Sequence, residues 1–232
     1  MIEPRLFLFD VDGTLVHVGG SGRRALESAF GEVFDVADPR ALMKPIRFDG
    51  NTDRVILGDA ISRAGISRDR FDAVREVFDA AYLRHLRALL QRPDPGFRVL
   101  PGVTSLLQLL ETRGDALALM TGNTEPGARA KLEPFGLNRY FPTGAFGSDH
   151  EDRRELAALA RRRAEAATAR RFATENVVVV GDSVMDVRSG KAHGFRTVAV
   201  LTGWTSRQVL DAENPDYLFE DLCDVPPELR SG

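Results

Sequence analysis

The chain has 232 residues, of which 43% are hydrophobic and 28% charged, and its formal net charge is −3. This is the composition of a soluble globular protein with a sizeable core, either one large α/β domain or a core carrying an inserted piece. The charge gives no reason to expect nucleic acid or an acidic membrane surface as partner, and the single cysteine, Cys223, excludes an internal disulfide or a thiolate metal cluster.

In chain order, the first strand-like run is Leu6-Phe7-Leu8-Phe9, which ends abruptly in Asp10-Val11-Asp12-Gly13-Thr14. A short run of large apolar residues running out into a polar turn reads as a buried strand of a parallel sheet. From about residue 16 to residue 95 no strand-like run appears. Segments 22–34, 52–64 and 70–90 carry helical periodicity instead, punctuated by Gly and Pro. This interval is expected to be a helical insertion between the first and second core strands, with breaker-rich hinges at 16–22 and 92–96.

Beyond it, strand-like runs at 116–120, 144–146, 177–180 and 197–201 alternate with helical patterns at 104–112, 127–135, 155–167 and 186–193. Alternation of this kind predicts a doubly wound parallel α/β sheet, Rossmann-like, covered by helices on both faces. The expected division is a core of residues 1–15 and 97–232 and a helical cap of residues 16–96. The run Arg161-Arg162-Arg163 reads as a solvated helix face.

Ligands in open α/β sheets sit beyond the carboxyl ends of the strands, so polar residues there carry the functional reading. The first strand delivers Asp10 and Asp12, two carboxylates whose mutual repulsion calls for a cation. After 116–120 comes Thr121-Gly122-Asn123: a hydroxyl, a backbone free to approach a ligand and an amide donor, all suited to phosphate oxygens. After 177–180 comes Gly181-Asp182-Ser183-Val184-Met185-Asp186. A helix beginning near Ser183 would place Asp186 in its first turn, facing the same loop as Asp182, or leave it as a simple N-terminal charge. Oxygen ligands from Asp10, Asp182 and Asp186, with a backbone carbonyl, are the set that Mg²⁺ prefers.

Asp-Val-Asp-Gly-Thr, Thr-Gly-Asn and Gly-Asp-Ser-x-x-Asp, in this order, resemble the motifs of the haloacid dehalogenase-like hydrolase superfamily, in its phosphoglycolate phosphatase-like branch. The resemblance implies a Mg²⁺-dependent phosphatase that hydrolyses a small-molecule phosphate monoester through an aspartyl-phosphate on Asp10. It implies Asp12 as general acid and then base, its backbone carbonyl on the metal, Thr121, Gly122 and Asn123 around the phosphate, and Asp182 and Asp186 at the metal.

One departure stands out. The family's third motif normally supplies a lysine, and none of Lys44, Lys131 and Lys191 fits it: the last two fall inside other helices and the first in the insertion. The stretch from Ser148 to Leu156 stands there instead, with Arg153 matching best and Arg154 second. In the insertion, Phe48-Asp49-Gly50-Asn51-Thr52-Asp53 resembles the loop that faces the active site, making Thr52, Asn51 and Arg54 candidate specificity residues, with plain helix capping by Thr52 or Asn51 as the alternative. Gly20-Ser21-Gly22-x-x-Ala25 formally matches a dinucleotide fingerprint but stands beyond the strand end, and reads as a hinge. His17 and Arg23 lie near that hinge.

Rival readings are a sugar phosphomutase of the same superfamily, a metal-independent dehalogenase, which Asp12 disfavours, a phosphorylated receiver module, and a catalytically idle binding protein. The substrate class expected is a small phosphate ester, with neither nucleic acid nor membrane as partner. No charged-then-apolar leader follows Met1 and no run approaches the roughly 18 apolar residues of a span, so a cytoplasmic monomer or homodimer is expected.

Overall fold

The computed structural model describes residues 5–92 and 94–225. Strand β1 (Leu6–Phe9) lies centrally in a six-stranded sheet with β4 (Ala116–Thr121), β5 (Gly144–Phe146), β6 (Val177–Gly181), β7 (Arg196–Val200) and β8 (Tyr217–Phe219). The strand order is β5-β4-β1-β6-β7-β8 and every pairing is parallel. From β1 the chain winds outward through β4 to β5, then returns to the other side of β1 and winds outward again. The reversal falls between β1 and β6, whose ends therefore border the crevice where ligands of such sheets bind. The predicted doubly wound α/β core is what the chain forms.

Side chains alternate along β1, so its two faces build different cores. Phe7 and Phe9 join Leu107, Leu110 and Phe141 on one face; Leu6 and Leu8 join Leu156, Ala160 and Phe172 on the other. The first face packs under α6 (Val103–Arg113) and α7 (Glu125–Leu132), the second under α8 (Arg153–Thr168). Helix α9 (Val184–Lys191) begins with a capping box: Ser183 and Asp186 satisfy each other's backbone donors. Helix α10 (Arg207–Ala212) precedes β8.

The interval after β1 is largely helical. Helices α1 (Ser21–Phe34), α2 (Pro39–Met43), α3 (Asp53–Arg63), α4 (Arg68–Ala73) and α5 (Arg75–Leu90) bury their own apolar cluster, including Phe30, Phe34, Phe71 and Phe78. The Phe30 and Phe78 rings meet edge to face with centroids 6.4 Å apart, a favoured aromatic geometry. Three expectations need correction. The interval is not free of strand: β2 (Val16–His17) pairs antiparallel with β3 (Arg98–Val99), bracketing the helices. Two residues are too few to show a period. The 70–90 helix is two helices, α4 and α5, divided at Val74. Nor is the arginine run only solvated: Arg161 donates to the Phe172 carbonyl, and Arg163 to Asp149 and the Gly144 carbonyl. The expected hinge at 92–96 includes Pro93, which lies outside the described residues.

Candidate active site

The crevice beyond β1 and β6 opens into a cavity of about 460 Å³ between the sheet edge and the helices of the insertion. Asp10, Asp12, Thr121, Gly122, Asn123, Arg153, Asp182 and Lys131 line it from the sheet side. Asn51, Asp53, Arg23, Arg47 and Tyr82 line it from the insertion, and Trp204 stands at the rim, 62% exposed.

Asp10 leaves β1 fully enclosed, 5% exposed. Burial pushes its carboxyl up to about 7; the Arg153 guanidinium opposes that shift, while Asp186 and Asp12 add to it. The Thr121 hydroxyl donates to the Asp10 carboxylate and accepts from the Asn123 side-chain amide at 2.8 Å. Asp10 Oδ1 lies 2.9 Å from an Arg153 nitrogen, yet no donor is aligned on it, which leaves a buried carboxylate oxygen without a hydrogen bond. Asp182 is raised well above the usual carboxylate range by burial and by Asp10 and Asp186. Thr14 donates to its Oδ1 at 3.1 Å. A Cβ at Gly203 would fall 1.6 Å from Asp182 Oδ2, and one at Gly13, where φ is +81°, 2.6 Å away. Only glycine lets both loops come that close.

Oxygens of Asp10, Asp182 and Asp186 lie within 4.8 Å of one another. Three buried carboxylates with one oxygen unbonded fit a hard divalent cation, which would cancel the repulsion that burial aggravates. Asp186 differs from the other two. Its Oδ2 accepts from the Ser183 amide and hydroxyl, and its Oδ1 accepts from Arg153 at 2.5 Å. Both roles considered for it from sequence, helix N-terminal charge and member of the acidic cluster, are present together.

Arg153, first residue of α8, reaches Asp10 and Asp186 from a position 5% exposed. Burial alone would weaken its hold on a proton, but Asp186 and Asp10 more than offset this and raise its pKa. Arg154 points elsewhere: it is exposed and pairs with Asp152 at 2.6 Å. Of the two arginines considered, Arg153 is the one that faces the carboxylates.

Lys131 reaches the site through Asp12 and Asn123, a placement that the sequence did not suggest. Lys131 is 4% exposed, and its Nζ donates to Asp12 Oδ2 at 2.5 Å and to Asn123 Oδ1 at 2.6 Å. It does fall inside a helix, α7, but that helix starts directly behind the Thr121-Gly122-Asn123 turn and aims the residue back into the site. The available signal was a lone lysine among Ala128, Ala130 and Leu132, eight residues after Asn123.

The insertion meets the core closely at the Gly122 turn. Asp53 donates its backbone N–H to the Gly122 carbonyl at 2.8 Å, and its carboxylate accepts from the Thr124 N–H at 2.9 Å. A Cβ on Gly122 would stand 2.3 Å from the Asn51 carbonyl oxygen, so Gly122 serves close approach. Thr52 does not put its hydroxyl into the cavity. It caps α3 through Val55 N and donates to the Glu151 carbonyl, while its neighbours Asn51 and Asp53 line the space. Arg54 likewise pairs with Glu151, at 3.4 Å. His17 lies in β2 and bonds to Gly96 O, and the Gly20-Ser21-Gly22 stretch opens α1 on the cavity wall.

A profile of haloacid dehalogenase-like hydrolases matches residues 4–194, and the chain belongs to that family. Phosphoglycolate phosphatase 1 of Pseudomonas aeruginosa is 30% identical, over 97% of this chain and 79% of that protein. A phosphoglycolate phosphatase of Rhodospirillum rubrum is also 30% identical, over 96% and 89%. Among solved structures, a predicted phosphoglycolate phosphatase from Haemophilus somnus superposes with a TM-score of 0.70 at 22% identity, each chain covered to 97%. Among the described residues no helix is long and apolar enough to cross a membrane.

Proposed function

We propose that this phosphoric monoester hydrolase cleaves a small-molecule phosphate ester through an aspartyl-phosphate on Asp10, with Mg²⁺ as its divalent cation. The observation that carries the reading is the joining of the Asp10, Asp182 and Asp186 carboxylates with the Arg153 guanidinium at one sheet edge. Asp10, Asp182 and the Asp12 backbone carbonyl would hold the metal, with Asp186 acting directly or through water. When bound, the metal supplies positive charge that lets an anionic nucleophile approach an anionic ester.

In the first half-reaction an Asp10 oxygen bonds to phosphorus as the phosphorus–oxygen bond to the leaving group breaks. Asp12 gives its proton to the departing oxygen. In the second half Asp12 takes a proton from water, whose oxygen attacks phosphorus and frees Asp10. Arg153 neutralises charge on the phosphoryl oxygens, the place a lysine holds in relatives. Thr121, Gly122 and Asn123 orient the phosphate.

Residues 1–15 and 97–232 form the catalytic core in this reading, and 16–96 a cap that covers the leaving group. Arg23 and Arg47, on the cap side of the cavity and paired there with Glu27 and Asp49, would favour an ester whose leaving group is itself anionic only by exchanging those partners for it. The relatives make phosphoglycolate the first such ester to try. A cytoplasmic location belongs to the same reading.

Phosphate release from a panel of small esters, with Mg²⁺ and with chelator, tests it. The expected result is Mg²⁺-dependent turnover that Asp10→Asn abolishes. Turnover indifferent to chelator would sink the metal role, and phosphoryl transfer between sugar hydroxyls without net hydrolysis would make the protein a mutase.

A further inference from the structure

We infer that Lys131 is the positioning residue for the leaving-group side of the reaction, acting through Asp12, so that the site divides its work between two cations. This rests on the phosphatase reading above. The two cations face different groups. Arg153 contacts Asp10 and Asp186, and its charge also acts on Asp182. Lys131 contacts Asp12 and Asn123, and its charge acts on Asp53 across the cavity. Nucleophile and metal ligands thus have one cation, acid–base group and cap-facing wall the other.

The surroundings of Lys131 fix its tip. Asn123 donates through Nδ2 to Asp12 Oδ2 at 2.9 Å and to Thr121 Oγ1 at 2.8 Å, which leaves its Oδ1 to accept from the lysine. Lys131, Asn123 and Asp12 therefore form a closed ring of bonds that holds Asp12 Oδ2 from two sides. On the cap side, Gly22 of α1 lies so near that a Cβ there would stand 2.8 Å from the Lys131 Nζ. The absence of a side chain at Gly22 makes room for the ammonium group.

The chemical consequence follows from charge. When Asp12 hands its proton to the departing oxygen, the bond pair of the breaking phosphorus–oxygen bond stays with that oxygen and Asp12 becomes a carboxylate. Lys131 compensates the charge that appears on Asp12, and by holding Oδ2 together with Asn123 it leaves Oδ1 to carry the proton that is given up. A good leaving group needs no such help; a poor one does.

The experiment compares phenyl phosphate with 4-nitrophenyl phosphate, which share a shape but differ strongly in leaving-group ability. Lys131→Met and Lys131→Gln are assayed beside Gly22→Ala, which displaces the lysine tip from the cap side without touching Asp12. For the lysine variants we expect kcat/KM on phenyl phosphate to fall roughly a hundredfold, the scale of general acid catalysis, and less than tenfold on the nitrophenyl ester. Gly22→Ala should show the same selectivity, more weakly. Retained activity on the nitrophenyl ester reports that the variants fold. Equal losses on both esters, or none on either, would overturn the inference. A wild type inert toward both would overturn the phosphatase reading and this inference with it.

Discussion

Arg153 sits between Asp10 and Asp186, 2.9 Å and 2.5 Å away, with nearly all of its side chain out of water. A charge so placed is held by its partners, and removing it leaves two buried carboxylates facing each other. Arg153→Ala should therefore cost at least about a hundredfold in kcat, the scale for losing one preorganised stabilising group. Arg153→Lys should recover part of that loss, because a point charge neutralises but cannot fork onto two oxygens. Single-turnover assays of both variants check this, and full activity in Arg153→Ala would assign the arginine to structure alone. The acids at the strand ends were legible from sequence, since a buried apolar run followed at once by Asp is a local signal. Lys131 was not: the bond that gives it meaning joins residues 119 apart, and only folding closes that distance.

At the scale of elements, the contact between the α3 N-terminus and the Gly122 turn decides how the cavity closes. Gly122→Ala would drive a Cβ toward the Asn51 carbonyl, with 2.3 Å where ordinary contact needs over a third more. The expected outcome is a cap held away from the sheet edge, seen as a raised KM and faster hydrogen exchange in residues 51–53, with the core strands unaffected. Unchanged exchange there would show that the contact yields cheaply. Inside the helical insertion, Phe78 is fully buried among Phe30, Phe34 and Phe71. Phe78→Ala should destabilise the protein by about 3–5 kcal/mol in urea unfolding, through lost burial and a cavity. Helical periodicity located this helical interval, but the two-residue strands β2 and β3 and the break at Val74 left no periodic trace. Both depend on partners supplied by distant chain.

For the whole molecule, acidity and metal should act on stability in ways that distinguish them. Burial raises Asp53 from 3.8 to about 6, with Lys131 and the Thr124 N–H opposing the shift and Asp12 and Asp79 adding to it. The folded state thus binds the Asp53 proton more tightly than the unfolded chain does. That contribution to stability is fully present below pH 3.8 and lost as pH rises through about 6. Asp53→Asn should remove this part of the pH dependence and raise the melting temperature at pH 8 relative to wild type. An identical pH dependence in the two proteins would show that Asp53 is not the source. On the proposed reading Mg²⁺ binds the folded acidic cluster and not the dispersed one, so in excess of its dissociation constant it should raise the wild-type melting temperature. Asp182→Asn should abolish that rise.

Sequence by itself located five of the six strands of the parallel sheet and the acids at its carboxyl edge, because periodicity and strand-end chemistry are written within a few adjacent residues. Tertiary structure alone decided between Arg153 and Arg154, turned Thr52 away from the cavity, and brought Lys131 onto Asp12. Each of these depends on the direction a side chain takes once helices pack against the sheet, and that direction is set by contacts between residues far apart in the chain.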